Sequence, residues 1–215
     1  MQNLTEELIQ AGWAGRVLSH AQLARLLDGT PQRRYNLVNR ALRHGELLRM
    51  RRGLYVLAPV QEGKTPHPFV LAQALQPGSY ISFETALSFH GWIPESAPTT
   101  LSVTPGRRRL ELDHAAFGLF RFFPLALRRG HFLEAVDRVA FAEQAALVAQ
   151  PLRALTDLIF LRNLEAGSIR ALTRSMRIET ERLMRIKPAA WGALERVYAH
   201  TRMAIAIRAL REAAS

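Results

Sequence analysis

Apolar residues recur three and four positions apart over Ser19–Leu27, at Leu23, Leu26 and Leu27, which is the spacing of one helix face. Ser19 stands where an N-cap belongs, and Asp28-Gly29 breaks the run. Thr30-Pro31 opens a second helix with a capping threonine and a proline at the first helical position. That helix runs to Arg43 or His44 and closes at Gly45. Two helices joined by a tight glycine turn make the helix-turn-helix pattern.

On a helical wheel at about 100° per residue from Arg33, the residues Asn39, Gln32, Arg43, Asn36 and Arg40 fall between about 240° and 340°. Leu37, Ala41, Val38, Leu42 and Tyr35 occupy the arc from about 40° to 200°, with Arg34 out of place among them. The first arc holds only Arg, Asn and Gln, which make paired hydrogen bonds to guanine and adenine edges. The second suits packing on the preceding helix. Surface helices ordinarily mix Glu with Lys on the wet face, yet no acid occurs between Asp28 and Glu46. A carboxylate there would repel phosphate, so the pattern favours a nucleic-acid face.

Immediately after, Leu48, Met50, Leu54 and Val56 alternate with Arg49, Arg51, Tyr55 and Leu57 around Arg52-Gly53, which predicts a β-hairpin, or wing. Arg49, Arg51 and Arg52 on such a ribbon can reach flanking phosphates or a narrow minor groove. Gln32, Arg33, Asn36, Asn39, Arg40 and Arg43 are the candidates for the major groove.

Downstream, Ala58-Pro-Val-Gln-Glu-Gly-Lys-Thr-Pro-His-Pro68 carries three prolines and a glycine, residues that interrupt helices and sheet ladders. Phe69–Leu75 predicts a short helix stopped by Pro77-Gly78, Tyr80–Phe83 a strand, and Glu84–His90 a helix ended by Gly91. Thr99–Thr104 and Ala116–Phe123 predict strands. From Ala142 the period turns helical: Gln144–Val148, Pro151–Asn163, Ser168–Arg177, Glu179–Ile186, and Pro188 to the C-terminus. The expected class is α+β: a winged helix-turn-helix over 1–58, a linker over 59–68, and a mixed sheet-and-helix domain over 69–215 with a helical C-terminal half.

Composition sharpens this. With 48% apolar and 22% charged residues in 215, global disorder is excluded, and the absence of cysteine removes disulfides, thiolate metal sites and cysteine nucleophiles. The chain carries 29 basic against 18 acidic side chains, a net +11, and all but Lys64 and Lys187 of the basic ones are arginine. An arginine bias accompanies GC-rich coding, but guanidinium is also the better fork for phosphates and guanine edges. The net charge is +5 over 1–58, zero over 59–125 and +6 over 126–215, so both ends favour polyanionic partners. The most apolar stretch, Ala140–Leu161, is broken by Glu143, Gln144, Gln150, Arg153 and Asp157, and Glu6-Glu7 sits where a signal peptide would be basic and then apolar. No membrane partner and a cytoplasmic location are expected.

The run Arg33-Arg-Tyr-Asn-Leu-Val-Asn-Arg-Ala-Leu-Arg-His-Gly-Glu-Leu-Leu-Arg-Met-Arg-Arg-Gly-Leu-Tyr-Val-Leu57 resembles the start of the AbiEi family of antitoxins from type IV toxin–antitoxin systems. Tyr80-Ile-Ser-Phe-Glu-Thr-Ala-Leu-Ser-Phe-His-Gly-Trp-Ile-Pro94 is similar to that family's S-x-x-(S/T)-A-L-x-x-H-G segment, and Ala149-Gln-Pro-Leu-Arg-Ala-Leu-Thr-Asp-Leu-Ile-Phe160 to its A-x-P-x-(K/R)-A-L-x-D helix. Arg153 departs from the lysine of many relatives, and the tail is unusually basic. The resemblance implies a bifunctional protein. Its winged helix would bind promoter DNA and repress its own operon, and residues 69–215 would form an antitoxin domain opposing a nucleotidyltransferase-type toxin, without a stable complex being required.

Other chemistry finds little footing. Ser82, Glu84, Ser88 and His90 suggest a catalytic cluster, but Ser82 or Thr85 as a cap and His90-Gly91 as a helix end explain them better. His67, His114 and His131 lack metal-ligand spacing. A nucleotidyltransferase needs a Gly-Ser pair close to paired carboxylates, whereas Gly78-Ser79 lies far from Glu111-Leu-Asp113. A Glu-x-Lys nuclease pair exists only as Glu62-Gly-Lys64 in the proline-rich segment. No catalytic residue, metal or cofactor is expected, with a stand-alone regulator carrying a sensing domain, or a nucleic-acid-processing enzyme, as the alternatives. Arg107, Arg108 and Arg109 at a strand end, and Arg170, Arg174 and Arg177 on one helix face, form either a solvated surface or a second basic contact.

Overall fold

A computed structural model describes residues 4–58 and 64–213. Helices and strands are mixed, as in the expected α+β class. The chain divides into two compact units, Met1–Pro77 with Phe141–Gln144, and Gly78–Ala140 with Ala145–Ser215.

The first unit holds α1 (Leu4–Gln10), β1 (Val17–Ser19), α2 (His20–Leu26), α3 (Pro31–Arg43), β2 (Leu47–Arg51), β3 (Leu54–Leu57) and α4 (Pro68–Leu75). Both central helices start where their caps require. The Ser19 hydroxyl accepts from the Gln22 backbone N–H at 3.2 Å while the Gln22 side-chain carbonyl accepts from the Ser19 N–H at 2.8 Å. The Thr30 hydroxyl accepts from the Arg33 N–H at 3.3 Å, ahead of Pro31. Each such cap is worth about 1 kcal/mol. Between the helices Gly29 sits at φ +98°, where a Cβ would also meet the Arg33 side chain at 2.8 Å, so the turn requires glycine.

Leu4, Leu8, Leu18, Leu23, Leu27, Val38, Ala41, Leu47, Tyr55 and Leu57 form one apolar core. Leu26, expected beside Leu23 and Leu27, stays 37% exposed. The hairpin forms as the alternation predicts, but with a third strand. β1 pairs antiparallel with β3, giving the order β1-β3-β2. As the central strand, β3 buries Tyr55, Val56 and Leu57 in succession, so the expected one-sided alternation fails there. The register of β2 slips between Arg49 and Arg51 and leaves buried Met50 as a bulge. Residues 59–63 of the expected linker lie outside the described residues. Lys64–His67 has no regular element, and Pro68 opens α4.

The second unit is built on a six-stranded sheet of β4 (Tyr80–Ile81), β5 (Thr99–Thr104), β6 (Leu110–His114), β7 (Gly118–Pro124), β8 (Val136–Phe141) and β9 (Gln144–Ala149), ordered β6-β7-β5-β4-β9-β8. β5 runs parallel to β7 and β4 to β9, while β4–β5 and β6–β7 are antiparallel. The helices are α5 (Phe83–Phe89), α6 (Pro151–Leu161), α7 (Ile169–Ser175), α8 (Thr180–Met184), α9 (Pro188–Glu195) and α10 (Thr201–Glu212), with a 3-10 turn at Ala166–Ser168. α5 packs on α6 and on β5. Thr85, rather than capping, lies within α5 and pins it there: its hydroxyl donates to the Thr99 carbonyl at 2.8 Å and accepts from the Leu101 N–H at 3.0 Å.

Expectation and structure differ in several places in this unit. Gln144–Val148 is strand, not helix, because a run of five residues ahead of Pro151 is too short for a stable helix and pairs readily in the sheet. β6 and β8 were not foreseen: Leu110-Glu-Leu-Asp-His114 lacks the β-branched residues that mark strands, and the two valines of Val136-Asp-Arg-Val-Ala-Phe141 are three positions apart instead of alternating. The C-terminal helix is two, broken where buried Tyr198 forms a bridge with Leu127.

Candidate nucleic-acid interface

Helix α3 exposes Gln32, Arg33, Asn36, Arg40 and Arg43 and leaves Asn39 half-buried, while Val38 and Ala41 face the core. The Gln32 amide donates to the Asn36 carbonyl oxygen at 3.2 Å, linking two of the candidates along the ridge. On the hairpin Arg49, Arg51 and Arg52 are all exposed. The two acids that bracket this stretch lie outside α3, and Glu46 accepts a hydrogen bond from the Thr5 hydroxyl of α1 at 2.8 Å.

Two open depressions flank the ridge. One of about 650 Å³ is lined by Tyr35, Asn36, Asn39, Arg40, Leu42, Arg43 and Arg49. The other, about 780 Å³, runs between α2, α3 and the hairpin, and its lining includes Tyr35, Val38, Asn39, Arg49, Arg52 and Tyr55. Helix and hairpin candidates are thus brought to one surface, with Asn39 and Arg49 lining both depressions.

Two residues of α3 depart from the wheel. Tyr35, assigned to the packing arc, is 62% exposed, because it lies at that arc's margin next to Asn39. Arg34, the apparent misfit in the apolar arc, is structural. Its guanidinium donates to the Gly29 carbonyl at 3.0 and 2.7 Å and to the Ala24 carbonyl at 2.8 Å. It thereby satisfies carbonyls at the end of α2 and clamps the turn to α3. Its position among apolar residues was the available signal.

The second set of arginines does not form one face. Arg107, Arg108 and Arg109 lie exposed in the β5–β6 loop, with the Arg109 guanidinium 5.3 Å from the Phe123 ring centre. Arg170 and Arg174 are exposed on α7, but that helix ends at Ser175. Arg177 is left-handed at φ +54° and ion-pairs with Glu95, so the expected i, i+4, i+7 row is broken.

A buried charged pair lies on α6, at two positions that the sequence reading named without foreseeing their burial. Arg153 and Asp157 on α6 are both 0% exposed. The Asp157 carboxylate accepts from Arg153 Nε at 3.0 Å, Tyr80 Oη at 3.0 Å, Ser82 Oγ at 2.7 Å and Tyr198 Oη at 2.7 Å. Arg153 also donates to Tyr80 Oη at 2.6 Å and to the Glu134 carbonyl at 2.7 Å. Burial opposes the Arg153 charge, yet Asp157, Tyr198 and Tyr80 together raise its pKa above the usual guanidinium value. The phenols of Tyr80 and Tyr198 are pushed well above the ordinary tyrosine range, first by burial and then by the Asp157 charge. With no solvent access, the network is a structural keystone that ties α6, β4 and the chain before α10 together.

The residues considered for catalysis go to separate partners. Ser82 serves Asp157, Glu84 pairs with Arg162 at 2.5 Å, and His90 Nε2 meets the Ala149 carbonyl at 3.0 Å. Glu111 pairs with Arg121 at 2.8 Å. His67 Nδ1 accepts from the Phe69 N–H at 3.2 Å and His114 Nδ1 from the Ala116 N–H at 3.2 Å, while His131 lies 3.8 Å from Glu134. Among the described residues no three His, Asp or Glu side chains are grouped to hold a metal ion, and no helix is long and apolar enough to cross a membrane. A depression of about 370 Å³ in the second unit is lined in part by Ile93, Pro98, Leu101, Met176, Arg121 and Arg162. No protein-family model matches the chain, and no curated protein matches it significantly.

Proposed function

We propose that the chain is a DNA-binding antitoxin of the type IV kind, a winged helix-turn-helix protein that represses its own operon in the cytoplasm and counters a nucleotidyltransferase-type toxin. The supporting observation is the acid-free ridge of α3, exposed beside a hairpin that carries Arg49, Arg51 and Arg52. Gln32, Arg33, Asn36, Asn39, Arg40 and Arg43 enter the major groove of promoter DNA, where Arg forks to guanine and Asn or Gln to adenine. The hairpin arginines hold the flanking backbone. The antitoxin role rests on the AbiEi resemblance and falls to residues 69–215, which act by binding rather than catalysis.

Mobility shift of the duplex upstream of the protein's own gene tests the DNA reading, and a missing retarded band contradicts it. Co-expression with the neighbouring gene's product tests the antitoxin role through rescue of growth. Retardation without rescue favours the other reading, a stand-alone regulator whose second unit senses a ligand, for which the depression of about 370 Å³ is the relevant feature.

A further inference from the structure

Tyr35 is the one large ring that α3 turns outward, 62% exposed on a ridge otherwise made of Arg, Asn and Gln. A lone exposed aromatic residue is ordinary on a protein surface. This one is placed differently: it lines both depressions that flank the ridge, together with Asn39 and Arg49. Tyr35 and Asn39 are four residues apart on one helix, so their side chains are neighbours on its surface. Guanidinium groups along α3 and β2 supply the attraction for a polyanion at this spot.

In the major groove only thymine offers an apolar group, its C5-methyl, and adenine offers the N6/N7 pair that a carboxamide matches. Resting on the DNA-binding reading above, we infer that Tyr35 and Asn39 together read an A·T pair, the ring covering the thymine methyl and the Asn39 carboxamide bonding the adenine edge. The bound site therefore contains A·T at the position facing the middle of α3, and Tyr35 is a specificity residue rather than a packing residue. The contact is made by the ring, so the phenolic hydroxyl is dispensable.

The test uses the full-length protein and the duplex upstream of its gene, prepared once with thymine and once with uracil, which lacks only the methyl. Wild-type protein binds the uracil duplex about four-fold more weakly for each methyl covered, the equivalent of one buried methyl group. Tyr35→Phe keeps that preference, and Tyr35→Ala binds both duplexes equally. Because the side chain is exposed, neither substitution changes the circular dichroism spectrum. Equal wild-type affinity for both duplexes overturns the inference alone. So does a full preference persisting in Tyr35→Ala, which assigns the discrimination to duplex shape or another side chain. A wild-type protein that binds neither duplex overturns the DNA reading, and this inference with it.

Discussion

Changing Asp157 to asparagine alters a single atom's chemistry in the centre of the second unit and removes one charge. The carboxylate accepts four hydrogen bonds, from Arg153, Tyr80, Ser82 and Tyr198. An asparagine offers one acceptor oxygen and turns an amide donor toward groups that are themselves donors. It also leaves the fully buried Arg153 guanidinium without a counter-charge. Breaking a buried ion pair from one side costs about 3–5 kcal/mol, a large share of the roughly 5–15 kcal/mol that stabilises a domain. At about 2–4 °C per kcal/mol the melting temperature falls by roughly 10 °C. Urea unfolding measures this with Trp13 and Trp92 changed to phenylalanine, so that Trp191, buried in α9, reports on the second unit. Arg153→Met is expected to cost a similar amount, and the double variant less than the sum, with a coupling of about 2 kcal/mol. An Asp157→Asn protein within about 1 kcal/mol of wild type, or strictly additive variants, would refute the keystone role.

Other consequences follow from the same geometry. Arg34→Ala removes three hydrogen bonds to the Ala24 and Gly29 carbonyls, and a loss of about 1–3 kcal/mol in the first unit is expected by denaturant titration. Arg40→Ala should cost about 1–3 kcal/mol of binding and relax base preference in a mobility-shift comparison of operator variants, whereas Arg51→Ala should weaken all duplexes alike. The second unit should lose stability in base. Tyr80 and Tyr198 have folded-state pKa values raised above the usual tyrosine value of 10.0, so their contribution is complete below that pH and is lost as pH climbs toward the folded values. Each phenol gives a slope of up to about 1.4 kcal/mol per pH unit, and Tyr198→Phe should halve the loss seen in urea midpoints above about pH 10.

The first unit was largely legible because its signals are local. Ser19, Thr30, Pro31 and Gly29 act within three residues of where they stand, and the hairpin follows from a glycine turn between alternating residues. What escaped depends on contacts distant in sequence. β1 becomes a strand only by pairing with β3, some forty positions on, and this pairing buries both faces of β3. Tyr35 lay at the edge of an arc, where a wheel cannot say whether a neighbouring element covers it. In the second unit the helix of Pro151 onward was visible from its period, but not that Arg153 and Asp157 point inward, because a charged pair four apart usually marks a solvated face. Their partners, Tyr80 and Tyr198, come from elements more than forty residues away on either side.

The proposed neutralisation of DNA phosphates by the α3 ridge and the hairpin arginines is measured directly by the salt dependence of binding. Fluorescence anisotropy of the protein with its own upstream duplex, titrated across ionic strengths, should give log K falling linearly with log salt. A slope near −5 is expected, corresponding to about six phosphates. Affinity that does not change with salt, or no binding even at low ionic strength, would rule out phosphate neutralisation by this surface.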